Sequence, residues 1–342
     1  MSSQKDLLVV NDKGLYCPKG DFYIDPWKPV SKALITHAHG DHCSRGSSVY
    51  IAQTHTATIM EKRYDFAEQK TQSVNYREEF EVGGVTVCFY PAGHILGSSQ
   101  ILVSHNGSRW LVTGDYKRHG DPTAEAYEVV KADVLITEAT FGLPIFRWAS
   151  TEKVASDIFD WWRECAASNQ PSLLYAYSLG KAQRLLAAVY EHAADMETLP
   201  GPVIMHPACD AITQYYQEVL DCRLDFQTAE DPREIDGWQQ ALVIAPPSAD
   251  GGRWIKRLTG ASRAMASGWM ALRGSRRRRA MDRGFILSDH ADWPSLVQTC
   301  KESEAQRIFV THGYNKSLAR YLTEELGVEA SDLKSQFQGE AD

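Results

Sequence analysis

Three imidazoles and a carboxylate fall within six residues at His37-Ala38-His39-Gly40-Asp41-His42, directly after the apolar run Ala33-Leu34-Ile35. Few features restrict a fold so tightly, because ligand-type side chains crowded at one strand end must have something to bind, and buried charges need partners. If the chain stays extended here, alternation puts His37 and His39 on one side, where they can share one ion. Asp41 and His42, at the turn that follows, point differently and can reach a second ion. Neutral imidazoles suit zinc, manganese or iron, and a carboxylate keeps the site open to harder ions. A lone histidine near a strand end is ordinarily just hydrogen-bonded or exposed. Four ligand-type side chains at this spacing read as a metal site.

Other apolar runs end the same way. Leu111-Val112-Thr113-Gly114 leads to Asp115, Val134-Leu135-Ile136-Thr137 to Glu138, Phe285-Ile286-Leu287-Ser288-Asp289 to His290, and Ile308-Phe309-Val310-Thr311 to His312. Val85–Tyr90 alternates before the Pro-Ala-Gly break that precedes His94. Runs of this length and composition predict buried strands whose loops emerge along one sheet edge, so the functional groups converge.

With these motifs in view, the chain resembles the metallo-β-lactamase superfamily and, more narrowly, its β-CASP nuclease branch, which includes Artemis, RNase J and the cleavage-and-polyadenylation endonuclease. The stretch from His37 to His42 is similar to that branch's second motif. Ala92-Gly93-His94-Ile95-Leu96-Gly97-Ser98 is similar to its third, and Thr113-Gly114-Asp115-Tyr116 to its fourth. Glu138, His290 and His312 stand in sequences that resemble motifs A, B and C. Within the branch, Tyr175–Leu185 and Ser267–Ser275 resemble the bacterial DNA-ligase-associated exonucleases. A histidine at motif C, here His312, is more usual in RNA-processing members of the branch.

The resemblance implies an αββα sandwich with an inserted α/β cap, two divalent metal ions (zinc or manganese), and hydrolysis of phosphodiesters in single-stranded DNA ends. The expected polarity is 5′→3′ and the expected setting DNA repair, with a link to an ATP-dependent DNA ligase and helicase. RNA processing is the alternative. His37, His39 and His94 are assigned to one metal, Asp41, His42 and His312 to the other, and Asp115 to both, since a carboxylate can span two ions. Departure of the sugar oxygen requires a proton, which His290 can supply if Glu138 holds its ring in the right tautomer.

Two rivals share parts of this pattern. A small-molecule hydrolase of the glyoxalase or lactamase type has the same histidine cluster but needs neither His290 nor a strongly basic segment. A catalytically silent binding subunit on the same fold would be expected to have lost ligands, and here all seven candidate positions are occupied.

The net charge of −8 argues at first against a polyanionic partner, but the charge is unevenly spread. Residues 253–283 carry ten basic side chains, Arg276, Arg277, Arg278 and Arg279 among them, against Asp282 alone. A nucleic-acid strand responds to that local potential, not to the global sum. Ser178-Leu-Gly-Lys-Ala-Gln-Arg184 predicts a strand-to-helix turn whose free N–H groups favour a phosphate, with Ser178, Lys181 and Arg184 as further donors.

With 342 residues and 43% hydrophobic content the chain reads as globular, and seven cysteines with no Cys-x-x-Cys pair argue against a disulfide framework or a thiolate zinc site. No apolar run suits a membrane span and the N-terminus lacks a signal-like segment, so a cytoplasmic protein is expected. Residues 1–150 read as strands and hairpins with one helix near 55–65. From 151 helices alternate with strands, which suggests parallel βαβ units. The expected organisation is a catalytic domain split into 1–150 and 285–342, with a cap at 151–284.

Overall fold

The computed structural model describes residues 6–64, 70–272, 274 and 281–333. Contacts divide the chain into two compact units, one ending at Arg147 and resuming at His290, the other running from Trp148 to Asp289.

The first unit is a sandwich of a six-stranded and a seven-stranded sheet. Alternation along the strands of the larger sheet builds two cores at once. Ile101, Val103, Trp110, Val112, Val134 and Ile136 face inward against Phe22, Ile24, Leu34 and Ile51 of the smaller sheet. Their neighbours Leu102, Leu111 and Leu135 face the other way and pack with Leu296, Val297, Leu318 and Leu322. Those four residues come from the helices Trp293–Glu302 and Asn315–Leu326, while Thr54–Tyr64 lies against the smaller sheet. The layers are therefore helix, sheet, sheet, helix, the αββα order that the resemblance implied.

The second unit is built on a five-stranded sheet, all parallel, in the order Val203–Met205, Leu242–Ala245, Ser172–Tyr175, Ser262–Ala266, Arg283–Phe285. The strands Leu242–Ala245 and Ser172–Tyr175 are buried at every residue, as parallel strands covered on both faces must be. The predicted helix over 151–167 is present as Thr151–Ala167, started by the Ser150 side chain, which accepts from Lys153 N.

Two expectations need correction. The last strand before His290 ends at Phe285 and pairs with Ser262–Ala266 in the second unit, so it does not extend the sandwich. His290 reaches the first unit through the coil that follows. The strand Lys32–Ile35 also stops before His37, and His37–His42 is a loop closed by a turn in which His42 N and Cys43 N both donate to His39 O. That turn follows His39 and redirects Asp41 and His42.

All seven cysteines are free thiols, six of them buried. Among the described residues, no helix is long and apolar enough to cross a membrane.

Candidate metal centre

Two of the loops that feed the site are shaped by backbone that a side chain would obstruct. Gly93, with φ +74°, precedes His94, and a Cβ there would lie 2.2 Å from Lys117 O. Gly114, at +56°, precedes Asp115, and its Cβ would strike the Thr36 side chain at 2.7 Å. These two positions need glycine both for the left-handed conformation and for the close approach.

The loops bring five imidazoles to within 4.0 Å of one carboxylate. Asp115 Oδ2 lies 3.3 Å from His42 Nε2, 3.6 Å from His37 Nε2, and 4.0 Å from both His94 Nε2 and His290 Nδ1. Asp115 Oδ1 lies 3.9 Å from His312 Nδ1. Three ligand groups share Asp115: His37, His39 and His94 form the first with it, His42 and His312 the second, and Glu138 and His290 the third. His39 Nδ1 is 3.1 Å from both His37 Nε2 and His94 Nε2. Three ring nitrogens converging at that distance can all turn lone pairs toward one cation. The donor sets of the first two groups therefore each fit a divalent ion. Asp41 stands slightly apart, 3.8 Å from His42 Nε2.

The electrostatics agree with metal-type chemistry. Burial, aided by His42, His94 and His39, holds His37 well below the usual imidazole range, so its ring is neutral. Burial likewise lowers His312, and His42 adds to the effect. Burial opposes charge on His42 as well, but Asp115, Asp41 and Asp25 outweigh it and hold this ring well above its ordinary value. Burial would raise Asp115, yet His42 and His290 keep it well below the carboxylate range.

The third group adjoins these. Glu138 is buried in the first unit and receives His290 Nδ1 at 3.1 and 3.0 Å on its two oxygens. Tyr116 N donates to Glu138 Oε1 at 2.9 Å, which fixes the carboxylate independently of the histidine.

Asp25 is a residue that the sequence reading missed. Its Oδ2 lies 2.8 Å from His42 Nδ1, and it accepts from Thr36 N at 2.8 Å and Thr36 Oγ1 at 2.6 Å. Only its place after the strand Phe22–Ile24, the same strand-end position as the other site residues, hinted at this role.

The phosphate-binding expectations fare differently. Ser178 is half-buried in the turn before the helix Lys181–His192. Lys181 and Arg184 are buried instead of presented to solvent: Lys181 Nζ lies 3.4 Å from Asp289 Oδ2, Arg184 Nη1 donates to Asp289 Oδ1 at 3.2 Å and to Ser288 O, and Arg184 Nη2 donates to Thr151 Oγ1 at 3.2 Å. These partners all belong to the second unit. Arg276, Arg277, Arg278 and Arg279 lie outside the described residues.

An αββα sandwich with a shared-carboxylate histidine cluster at its loop ends defines a metallo-β-lactamase-type protein. No family model matches the chain. It is 32% identical over 322 residues to a probable DNA ligase of Opitutus terrae, an alignment covering 93% of this chain and 30% of that protein. It is 31% identical over 168 residues to cleavage and polyadenylation specificity factor 73 of Drosophila melanogaster, across 47% of this chain and 24% of the relative. An RNase J-like protein of Methanocaldococcus jannaschii is 26% identical over 236 residues, covering 62% and 56%. The chain thus spans less than a third of the length of the Opitutus protein. A crystal structure of a protein of unknown function from Enterococcus faecalis shares the fold, with a TM-score of 0.53 and 14% identity over 90% of this chain and 80% of that one. The chain belongs to the β-CASP branch of the metallo-β-lactamase superfamily.

Proposed function

We propose that the protein is a metal-dependent nuclease that hydrolyses phosphodiesters at single-stranded DNA ends, trimming 5′→3′ in DNA repair, with the unit 148–289 as its β-CASP-like cap. The observation that carries this reading is the gathering of four imidazoles, His37, His42, His94 and His312, around Asp115 beside the Glu138–His290 pair.

His37, His39 and His94 would hold one divalent ion and Asp41, His42 and His312 the other, with Asp115 serving both. Zinc and manganese each suit this mixture of imidazole and carboxylate. When bound, such ions polarise a phosphoryl oxygen and lower the pKa of water at the site. The remaining work falls to the chain. Asp25 fixes the tautomer of His42 by taking its Nδ1–H. Glu138 does the same for His290 and favours its charged form. That ring can then pass the proton on Nε2 to the departing sugar oxygen.

A substrate of DNA, and a functional link to an ATP-dependent DNA ligase, are supported by the match of nearly the whole chain to part of a protein named as a probable DNA ligase. RNA is the second reading, favoured by His312 within the cluster and by relatives whose names refer to polyadenylation cleavage and RNase J. Incubation with 5′-labelled and 3′-labelled DNA and RNA strands under Mn²⁺ or Zn²⁺ tests both. Mononucleotides released first from the 5′ end of DNA are expected. Internal cuts in RNA alone would transfer the assignment to the second reading, and no cleavage of any strand would end both.

A further inference from the structure

We propose that Arg45, Arg63 and Tyr64 form a subsite for the phosphates of a single-stranded polynucleotide at the open lip of the metal loop, an inference that rests on the nuclease reading above. The helix Thr54–Tyr64 ends with Lys62 and Arg63 in its last turn. Its final residue, Tyr64, donates its hydroxyl to Ala38 O at 2.9 Å, which ties the ring to the backbone between His37 and His39. Arg45 arrives from the other end of the same loop. Both guanidinium carbons lie 5.4 Å from the centroid of the Tyr64 ring, so the two charges are no further apart than twice that distance.

Two like charges on one ring repel, and among the described residues neither has a carboxylate partner. Arg63 is half-buried, with Nη1 covered and without an acceptor among those residues, while Arg45 is exposed. A phosphate would relieve the repulsion and accept from the guanidinium groups. Arg45 and Gly40 are both exposed, so among the described residues the loop leaves the Arg45 guanidinium open to an incoming strand. Cations beside an aromatic face are the chemistry that tracks a single strand, where each phosphate is followed by a base able to stack. An acidic peptide would use the charges but not the ring.

The test is binding of a fluorescent oligothymidylate, and of its oligouridylate counterpart, to the full chain in Ca²⁺ across a salt series. In Arg45→Gln/Arg63→Gln the slope of log K against log salt should become shallower by roughly 1.4, the value for two lost single-strand phosphate contacts. Arg45→Lys/Arg63→Lys keeps the charges and should keep most of the slope. Superimposable lines for wild type and the Gln variant would overturn the proposal. So would an equal loss in the Lys variant, which would point to packing on Tyr64, or a fall in bound metal in the Gln variant, which would make the pair a brace for the metal loop. Hydrolysis of bis(4-nitrophenyl) phosphate by the unaltered protein reports separately on the metal centre. A protein that cleaves this ester but binds neither oligonucleotide overturns the subsite alone, whereas one that cleaves no phosphodiester overturns the nuclease reading.

Discussion

Asp115 lies within 4.0 Å of five imidazoles, and its substitution should therefore disturb both halves of the centre. Asp115→Ala and His94→Ala are expected to abolish activity and full metal occupancy, read by metal analysis of the purified variants. Two tightly held ions in Asp115→Ala would remove the bridging assignment. His290→Ala should keep its metals and lose about 10²–10⁴ in turnover, the range for a missing general acid. That loss should shrink on a nitrophenyl phosphodiester, whose leaving group needs no proton. Asp25 acts at one remove from the ions through His42, so Asp25→Ala should weaken metal binding by roughly 10–100-fold.

The pH dependence follows from His42. Its pKa is raised in the metal-free protein, so a proton held there favours the folded state below the ordinary imidazole value and that contribution fades as pH rises through the raised value. A cation needs the neutral ring, so metal uptake should release protons and weaken as pH falls, measurable by calorimetry in buffers of different ionisation heat. Of these residues, the histidines and Asp115 were legible because they cluster in sequence or end apolar runs. Asp25 was not, because a single Asp before proline looks like any turn and its partner lies 17 positions away.

At the scale of elements, the strand-end rule worked where loop and strand belong to one sheet. It misled at 285–290 because an apolar run does not reveal which sheet a strand joins, and Arg283–Phe285 pairs in the second unit. The Ser178–Arg184 turn was legible as strand-to-helix geometry, but the fate of its cations was not, since Asp289 lies 105 residues from Arg184. Asp289→Ala should leave two buried cations without their carboxylate and destabilise the protein by about 3–5 kcal/mol, the range for breaking a buried pair. Urea unfolding measures this. An unchanged midpoint would mean that Lys181 and Arg184 are neutralised by another group and would reopen them as phosphate ligands.

For the whole molecule, a net charge of −8 is compatible with the proposed attack on a polyanion because the chemistry sits at a local concentration of imidazoles, with Arg45 and Arg63 beside the metal loop. The parallel second sheet was legible because helices alternate with strands from residue 151, whereas the αββα order came only with the family resemblance. The most direct test of the central claim is cleavage of an end-labelled single strand by protein stripped with a chelator and then reloaded. Stripped wild type should be inactive, Mn²⁺ or Zn²⁺ should restore it, and Asp115→Ala should stay inactive under both ions. Cleavage by the stripped protein, or by reloaded Asp115→Ala at the wild-type rate, would contradict the account.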